Sequence, residues 1–132
     1  MPPKKSSTLT EAELRLMKLL WHRGESAVGD LVAALPEDES LAYNSVLTTV
    51  RILEQKGYVE HRQEGRAFVY RAVVAEEEAG RTEIQHLMSR FFGNSREQLV
   101  LSLLEGGEMT AEELKRLKDA IEQAAPDEEY PA

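Results

Sequence analysis

The chain has no cysteine. That excludes a disulfide framework and any thiolate metal site, and it suits a reducing compartment. Long apolar runs are missing too. The longest nearly apolar stretch, LVLSLL at 99–104, is far short of the roughly 20 residues that cross a bilayer. No apolar signal core follows the opening MPPKKSS, so the expected location is the cytoplasm, with no membrane partner. Histidine is scarce: His22, His61 and His86 are far apart and form no H-x-x-x-H pair, so no metal site and no cofactor are expected. A glycine-rich phosphate loop, a nucleophile elbow and a convincing acid–base pair are all absent, which argues against an enzyme and leaves no catalytic residue to nominate.

What is present is a soluble globular composition, 42% apolar and 30% charged over 132 residues, enough for one compact domain or a small domain with an appendage. The net charge of −8 is unevenly spread. Residues 1–23 carry a net +3 and 40–71 a net +2, whereas 24–39 carry −5 and 72–132 carry −8. A polyanion could therefore dock on one face of an acidic protein, provided that the two basic segments share it.

The opening residues, 1–8, are expected to form a loose basic arm. LTEAELRLMKLLWHRG then predicts a helix: Thr10 as cap, Glu13 closing a capping box, Leu9 stapled to Leu14, Leu14, Met17, Leu20 and Trp21 on the apolar stripe, and Gly24 as the stop. A short helix is expected from Ala27 to Leu35, capped by Ser26, with Val28, Leu31, Val32 and Leu35 facing inward before Pro36. After the acidic PEDES comes a third, Tyr43 to Lys56, burying Val46, Val50 and Leu53 and ended by Gly57. The period then shifts to two. YVEHRQ and RAFVYRA predict a hairpin turning at Glu64 and Gly65, its strands anchored by Val59, Phe68 and Tyr70.

Helical spacing returns from Ala75. Ile84, Leu87, Met88, Phe91 and Phe92 make one stripe before FGNS breaks it; Ser95 to Leu104 is almost apolar all round, with Leu99, Val100, Leu101, Leu103 and Leu104; Thr110 and Glu113 box a last helix bearing Leu114, Leu117 and Ile121. About fifty residues cannot bury so many apolar side chains alone, so a second copy related by a two-fold axis is expected to cover them. The tail at 126–132 should fray.

The predicted architecture is mostly α, within the α+β class. A winged helix-turn-helix at 9–73 precedes a helical dimerisation domain at 74–125. On the Tyr43 to Lys56 helix the outward stripe carries Asn44, Ser45, Thr48 and Arg51, with Ile52 and Gln55 beside it: short hydrogen-bonding groups and a cation, suited to base edges in a major groove. Tyr43, Arg62 and Arg66 are the candidates for the DNA backbone and the wing contact. The partners expected are thus double-stranded DNA and a second copy of the chain.

The blocks LTEAELRLMKLLW, YNSVLTTVRILEQKGYVEH and GRAFVYRA together resemble the penicillinase repressor family of bacterial transcription factors, over roughly Leu9 to Ala124. The resemblance implies a dimeric winged-helix repressor on dyad-symmetric operators. Asn44, Ser45 and Thr48 then match groove-facing positions, Arg66 and Tyr70 the wing pattern, and Leu101 to Leu104 the dimer helix. It also raises a regulatory protease as a partner, because antibiotic-sensing members are cut at an Asn-Phe bond in that helix. This chain has Ser102 and Leu103 there, which argues against inactivation at that bond. The copper-responsive branch uses a cysteine-rich site, which this chain lacks. Two other readings stay open: a regulator of the MarR type holding a small molecule between the winged domain and the dimer helices, and a winged-helix protein-interaction module that binds no nucleic acid.

Overall fold

A computed structural model describes residues 8–124. The elements run α1 (Glu11–Arg23), β1 (Ser26–Ala27), α2 (Val28–Ala34), α3 (Tyr43–Lys56), β2 (Val59–Glu64), β3 (Ala67–Ala72), α4 (Glu76–Phe91), α5 (Arg96–Glu105) and α6 (Ala111–Ala124), with a single 3-10 turn at Glu37–Glu39. The loose arm and the fraying tail proposed from sequence lie outside the described residues, apart from Thr8.

Local signals explain most of the helix ends. At α1 the Thr10 hydroxyl accepts the Glu13 N–H at 3.2 Å and the Glu13 carboxylate accepts the Thr10 N–H at 2.9 Å, so two otherwise orphan donors are satisfied together. Gly24 follows with φ +90°, where a side chain would be strained. At α3, Gly57 takes the left-handed conformation, and the Gly57 and Tyr58 N–H groups close the last turn onto Glu54 and Leu53. The α4 helix breaks where Gly93 and Asn94 both have positive φ, while the Phe92 and Asn94 N–H groups converge on the Met88 carbonyl. Thr110 and Glu113 form the second complete capping box.

The start of α2 departs from expectation. Ser26 does not cap it; its hydroxyl donates to the Gly24 carbonyl, and the Asp30 carboxylate instead accepts the Ala27 N–H at 3.1 Å. Ser26 and Ala27 are the strand β1, which the sequence reading missed. They pair antiparallel with Tyr70 and Val69, giving a three-stranded sheet in the order β1-β3-β2. Two residues carry no periodicity, so only the presence of β3 beside them makes them a strand.

The hairpin turns one residue later than expected. Glu64 pairs with Ala67, leaving Gly65 and Arg66 as the two-residue loop. Gly65 has φ +61° and Arg66 does not share the positive sign, the pattern of a type II′ turn, which needs glycine first.

The core lies between α1, α2, α3 and the sheet. Leu16, Met17, Leu31, Val46, Val50 and Leu53 are wholly buried, with Tyr58 and Tyr70 beside them. Leu16 is a core residue that the stripe through Leu14 did not include; Leu14 is half-buried and faces α4 across a cleft. Burial also pushes the phenols of Tyr58 and Tyr70 above their ordinary range, helped at Tyr58 by Glu83, Glu13 and Glu78 and at Tyr70 by Glu54, with Arg51 opposing at Tyr70. The folded state therefore holds protons that the unfolded chain releases. Stability is full below the ordinary tyrosine pKa of about 10 and declines as pH rises through the folded values. Urea titrations from pH 8 to 11 should show this fall, and Tyr70→Phe should make it shallower. An identical slope in the variant would remove Tyr70 as a source.

The first turns of α4 are fastened to α1. Trp21 Nε1 donates to the Val74 carbonyl at 2.8 Å, Glu76 meets Lys18 at 3.1 Å, the Leu9 N–H donates to Glu83 at 2.9 Å, and Ala79 enters the core. Beyond this junction the only buried residue described is Met88; α5 and α6 bury none.

Candidate nucleic-acid interface

The reading helix α3 has two opposite faces. Val46, Val50 and Leu53 are buried without residual exposure. Asn44, Ser45, Thr48, Arg51, Ile52 and Gln55 are all exposed on the other side, and Tyr43, in register with Val46 and Val50, is exposed as the first residue of the helix. Since residues 44, 48, 51 and 55 follow the i, i+4, i+7, i+11 rule, these groups form one continuous polar stripe, with Ser45 and Ile52 along its edge. Thr49 is turned aside, its hydroxyl bonded to the Ser45 carbonyl at 2.7 Å. The core on one face thus dictates what the other can present.

The wing supplies the second wall. Ala27, Val28 and Gly29 at the start of α2, Tyr43, Leu47 and Arg51 on α3, and Arg66, Ala67 and Phe68 of the hairpin line an open groove of about 350 Å³. Three of the candidates, Tyr43, Arg51 and Arg66, are gathered there. Phe68 lines it as well, and this corrects its assignment as a core anchor: it is 41% exposed. The register explains why. Val59, His61, Gln63, Phe68 and Tyr70 project from one side of the ribbon. Near its base Val59 and Tyr70 meet the helices, while Phe68 sits nearer the tip and packs at a tilt against His61 with ring centroids 4.9 Å apart. His61 in turn is held by the Glu54 carboxylate at 2.8 Å.

Charge placement separates the two wing arginines. Arg62 lies across from Val69 within the ribbon rather than at its tip, and it pairs with Glu25 and, at 3.6 Å, with Glu64. The hydrogen bond that it donates to Glu25 and the charges of both glutamates hold its guanidinium still more firmly protonated. Arg71 is likewise matched, by Glu60. Arg51 and Arg66 take part in none of the ion pairs among the described residues. Neither is neutralised by a carboxylate among those residues, although Arg51 also lies within hydrogen-bonding reach of the Tyr70 phenol. Of the two partners of Arg62 only Glu64 is close in sequence; the nearer one in space, Glu25, is 37 residues away and no local pattern flags it.

The dimer candidates fall on α4, α5 and α6. Ile84, Leu87 and Phe91, then Leu101, Leu103 and Leu104, then Leu114 and Ile121 are exposed large apolar side chains in the single chain. Leu99, Val100 and Leu117 are half-buried and Met88 is buried. Arg81, Ile84, Gln85, Met88, Arg96, Leu99 and Val100 frame an apolar groove of about 340 Å³ between α4 and α5. Ser102 and Leu103 lie inside α5, both exposed.

A family model described as penicillinase repressor matches residues 9–123. The chain belongs to the penicillinase repressor family. Among its relatives is the penicillinase repressor of Bacillus licheniformis, 26% identical over 120 residues, which cover 91% of this chain and 94% of the other. The methicillin resistance regulatory protein MecI of Staphylococcus aureus is 16% identical over 117 residues, 89% of this chain and 95% of MecI. Among solved structures, the DNA-binding domain of the repressor BlaI superposes with a TM-score of 0.50 at 28% identity, covering 57% of this chain and 92% of that domain. The winged-helix fold is thereby shown, and the described residues hold six α-helices and a small antiparallel sheet. No described helix is long and apolar enough to cross a membrane.

Proposed function

We infer that this member of the penicillinase repressor family is a DNA-binding transcriptional repressor, and we propose that it acts as a cytoplasmic homodimer on dyad-symmetric operators. The observation that carries this is the exposed stripe of Asn44, Ser45, Thr48 and Arg51, backed by a fully buried one and flanked by Arg66, which has no ion-pair partner among the described residues. Such a helix can lie in a major groove, with Asn44, Ser45, Thr48 and Arg51 toward base edges and Tyr43 and Arg66 toward phosphates. Arg62, matched by Glu25 and Glu64, contributes less to phosphate affinity than its position in the wing suggests.

Residues 9–73 are the reading domain in this proposal and 74–125 the dimerisation domain. The exposed apolar faces of α4, α5 and α6 meet their counterparts in a second copy, setting the readers one or two helical turns of DNA apart, at roughly 34 Å per turn. The acidic C-terminal half then stands away from the phosphates, which reconciles a net charge of −8 with a polyanionic ligand. Repression ends when the dimer is weakened, by a ligand or by a protease acting within the dimerisation helices. No catalytic role is assigned to any residue.

Two substitutions divide the labour. Thr48→Ala should lower the preference for the selected operator over random duplex by about 1–3 kcal/mol while leaving non-specific affinity unchanged. Arg66→Ala should weaken every duplex alike and reduce the slope of log K against log salt by about one per subunit. Competition gel shifts over a range of salt concentrations measure both. The same profile for the two variants would contradict the assignment, and binding of the parent that ignores salt would contradict phosphate docking altogether.

A further inference from the structure

One side chain on the exposed face of α3 is out of character with its neighbours. Ile52 is 38% exposed, although Ser45, Thr48, Arg51 and Gln55 around it are polar. It stands on the edge of the stripe, one turn after Thr48 and one turn before Gln55, and the core stripe of Val46, Val50 and Leu53 lies on the opposite side. As a β-branched residue it favours the helix less than alanine or leucine would, and on a water-facing surface it adds no solubility. Its branched side chain has one strongly preferred rotamer in a helix, so it loses little freedom when something packs on it.

A major groove offers one apolar feature among its donors and acceptors, the C5-methyl group of thymine. We propose that Ile52 is a specificity-determining residue, packing on the methyl group of a thymine in each operator half-site. The inference rests on the repressor reading above. Four residues separate Ile52 from Thr48, a rise of about 6 Å, so the thymine lies one or two base-pair steps from the base that Thr48 addresses. Thr48 and its polar neighbours then select by hydrogen bonding, and Ile52 selects by shape, rejecting cytosine for its lack of a methyl group.

The experiment uses the full chain. Duplexes are selected from a random pool, and each thymine of the selected site is replaced in turn by deoxyuridine, which keeps the pairing and removes only the methyl group. For the parent, one thymine per half-site should respond, with affinity falling about fourfold per half-site, the effect of one buried methyl group. Ile52→Ala, a surface change to a better helix former, should bind the unmodified site more weakly and be indifferent to uracil at that position. Ile52→Val should keep part of the response. If parent and Ile52→Ala respond alike at every thymine, or the selected half-site has no thymine within reach, Ile52 is an ordinary exposed residue and the inference fails while the repressor reading stands. If the parent selects no sequence at all, both fall together.

Discussion

Leu101→Asp is expected to turn the protein into a monomer and to cut its affinity for a two-half-site operator about 100- to 10,000-fold. Leu101 is one of three leucines that α5 leaves exposed, alongside Leu103 at 63% and Leu104, and no residue of α5 or α6 is buried in the single chain. A helix that is apolar nearly all round survives in water only when covered. A carboxylate at its centre would have to be buried unpaired on association, which costs more than the apolar contact returns. Because the site is exposed in the monomer, the winged domain should keep its fold, so weak binding to a single half-site should persist. Light scattering at concentrations where the parent is dimeric gives the mass, and gel shifts on one and two half-sites give the affinities. An unchanged mass would remove the proposal that these helices join the subunits.

Lys56→Met should destabilise the chain by about 3–5 kcal/mol, toward the lower figure because the ammonium keeps some access to water. Glu13 is only 4% exposed, and its carboxylate accepts both the Lys56 ammonium at 2.7 Å and the Thr10 N–H at 2.9 Å. Lys56 also donates to the Thr8 carbonyl at 3.0 Å. Removing the cation leaves a buried negative charge and strands the Thr8 carbonyl. The double variant Glu13→Gln with Lys56→Met should recover a large part of the loss, since a neutral amide can still accept the Thr10 N–H and needs no counter-charge. Urea midpoints of the parent, both single variants and the double variant make the cycle. A Lys56→Met midpoint matching the parent would show that the Glu13 carboxylate is hydrated in solution.

The same pair illustrates how this sequence can and cannot be read. Thr10 and Glu13 were legible as a capping box, and that box is present. That Glu13 also receives Lys56, from 43 residues away, was not. Within α3 the apolar spacing identified Val46, Val50 and Leu53 as buried, and with them the exposure of Asn44, Ser45 and Thr48, because one helical period settles both faces. For the wing, alternation indicated two strands, yet it could not say how far the ribbon outruns the helices. Hence Phe68, expected to anchor its strand to the helices, is found exposed on the groove. Apolar excess in α4, α5 and α6 was visible as composition; that these side chains stay uncovered in one chain is a property of the fold.

Taken alone, the order of residues determined the helices, the capping boxes at Thr10 and Thr110, the left-handed stop at Gly57, the break at FGNS, the hairpin and the family. Each of those rests on interactions within about one helical turn or across one tight turn, where sequence spacing is spatial distance. Tertiary structure alone decided that Ser26 and Ala27 form a strand against β3, that Glu25 neutralises Arg62 while Arg66 meets no carboxylate among the described residues, and that the Leu9 N–H joins α4 through Glu83, 74 residues on. Partners so distant along the chain meet only after the core has closed, and no local period records them.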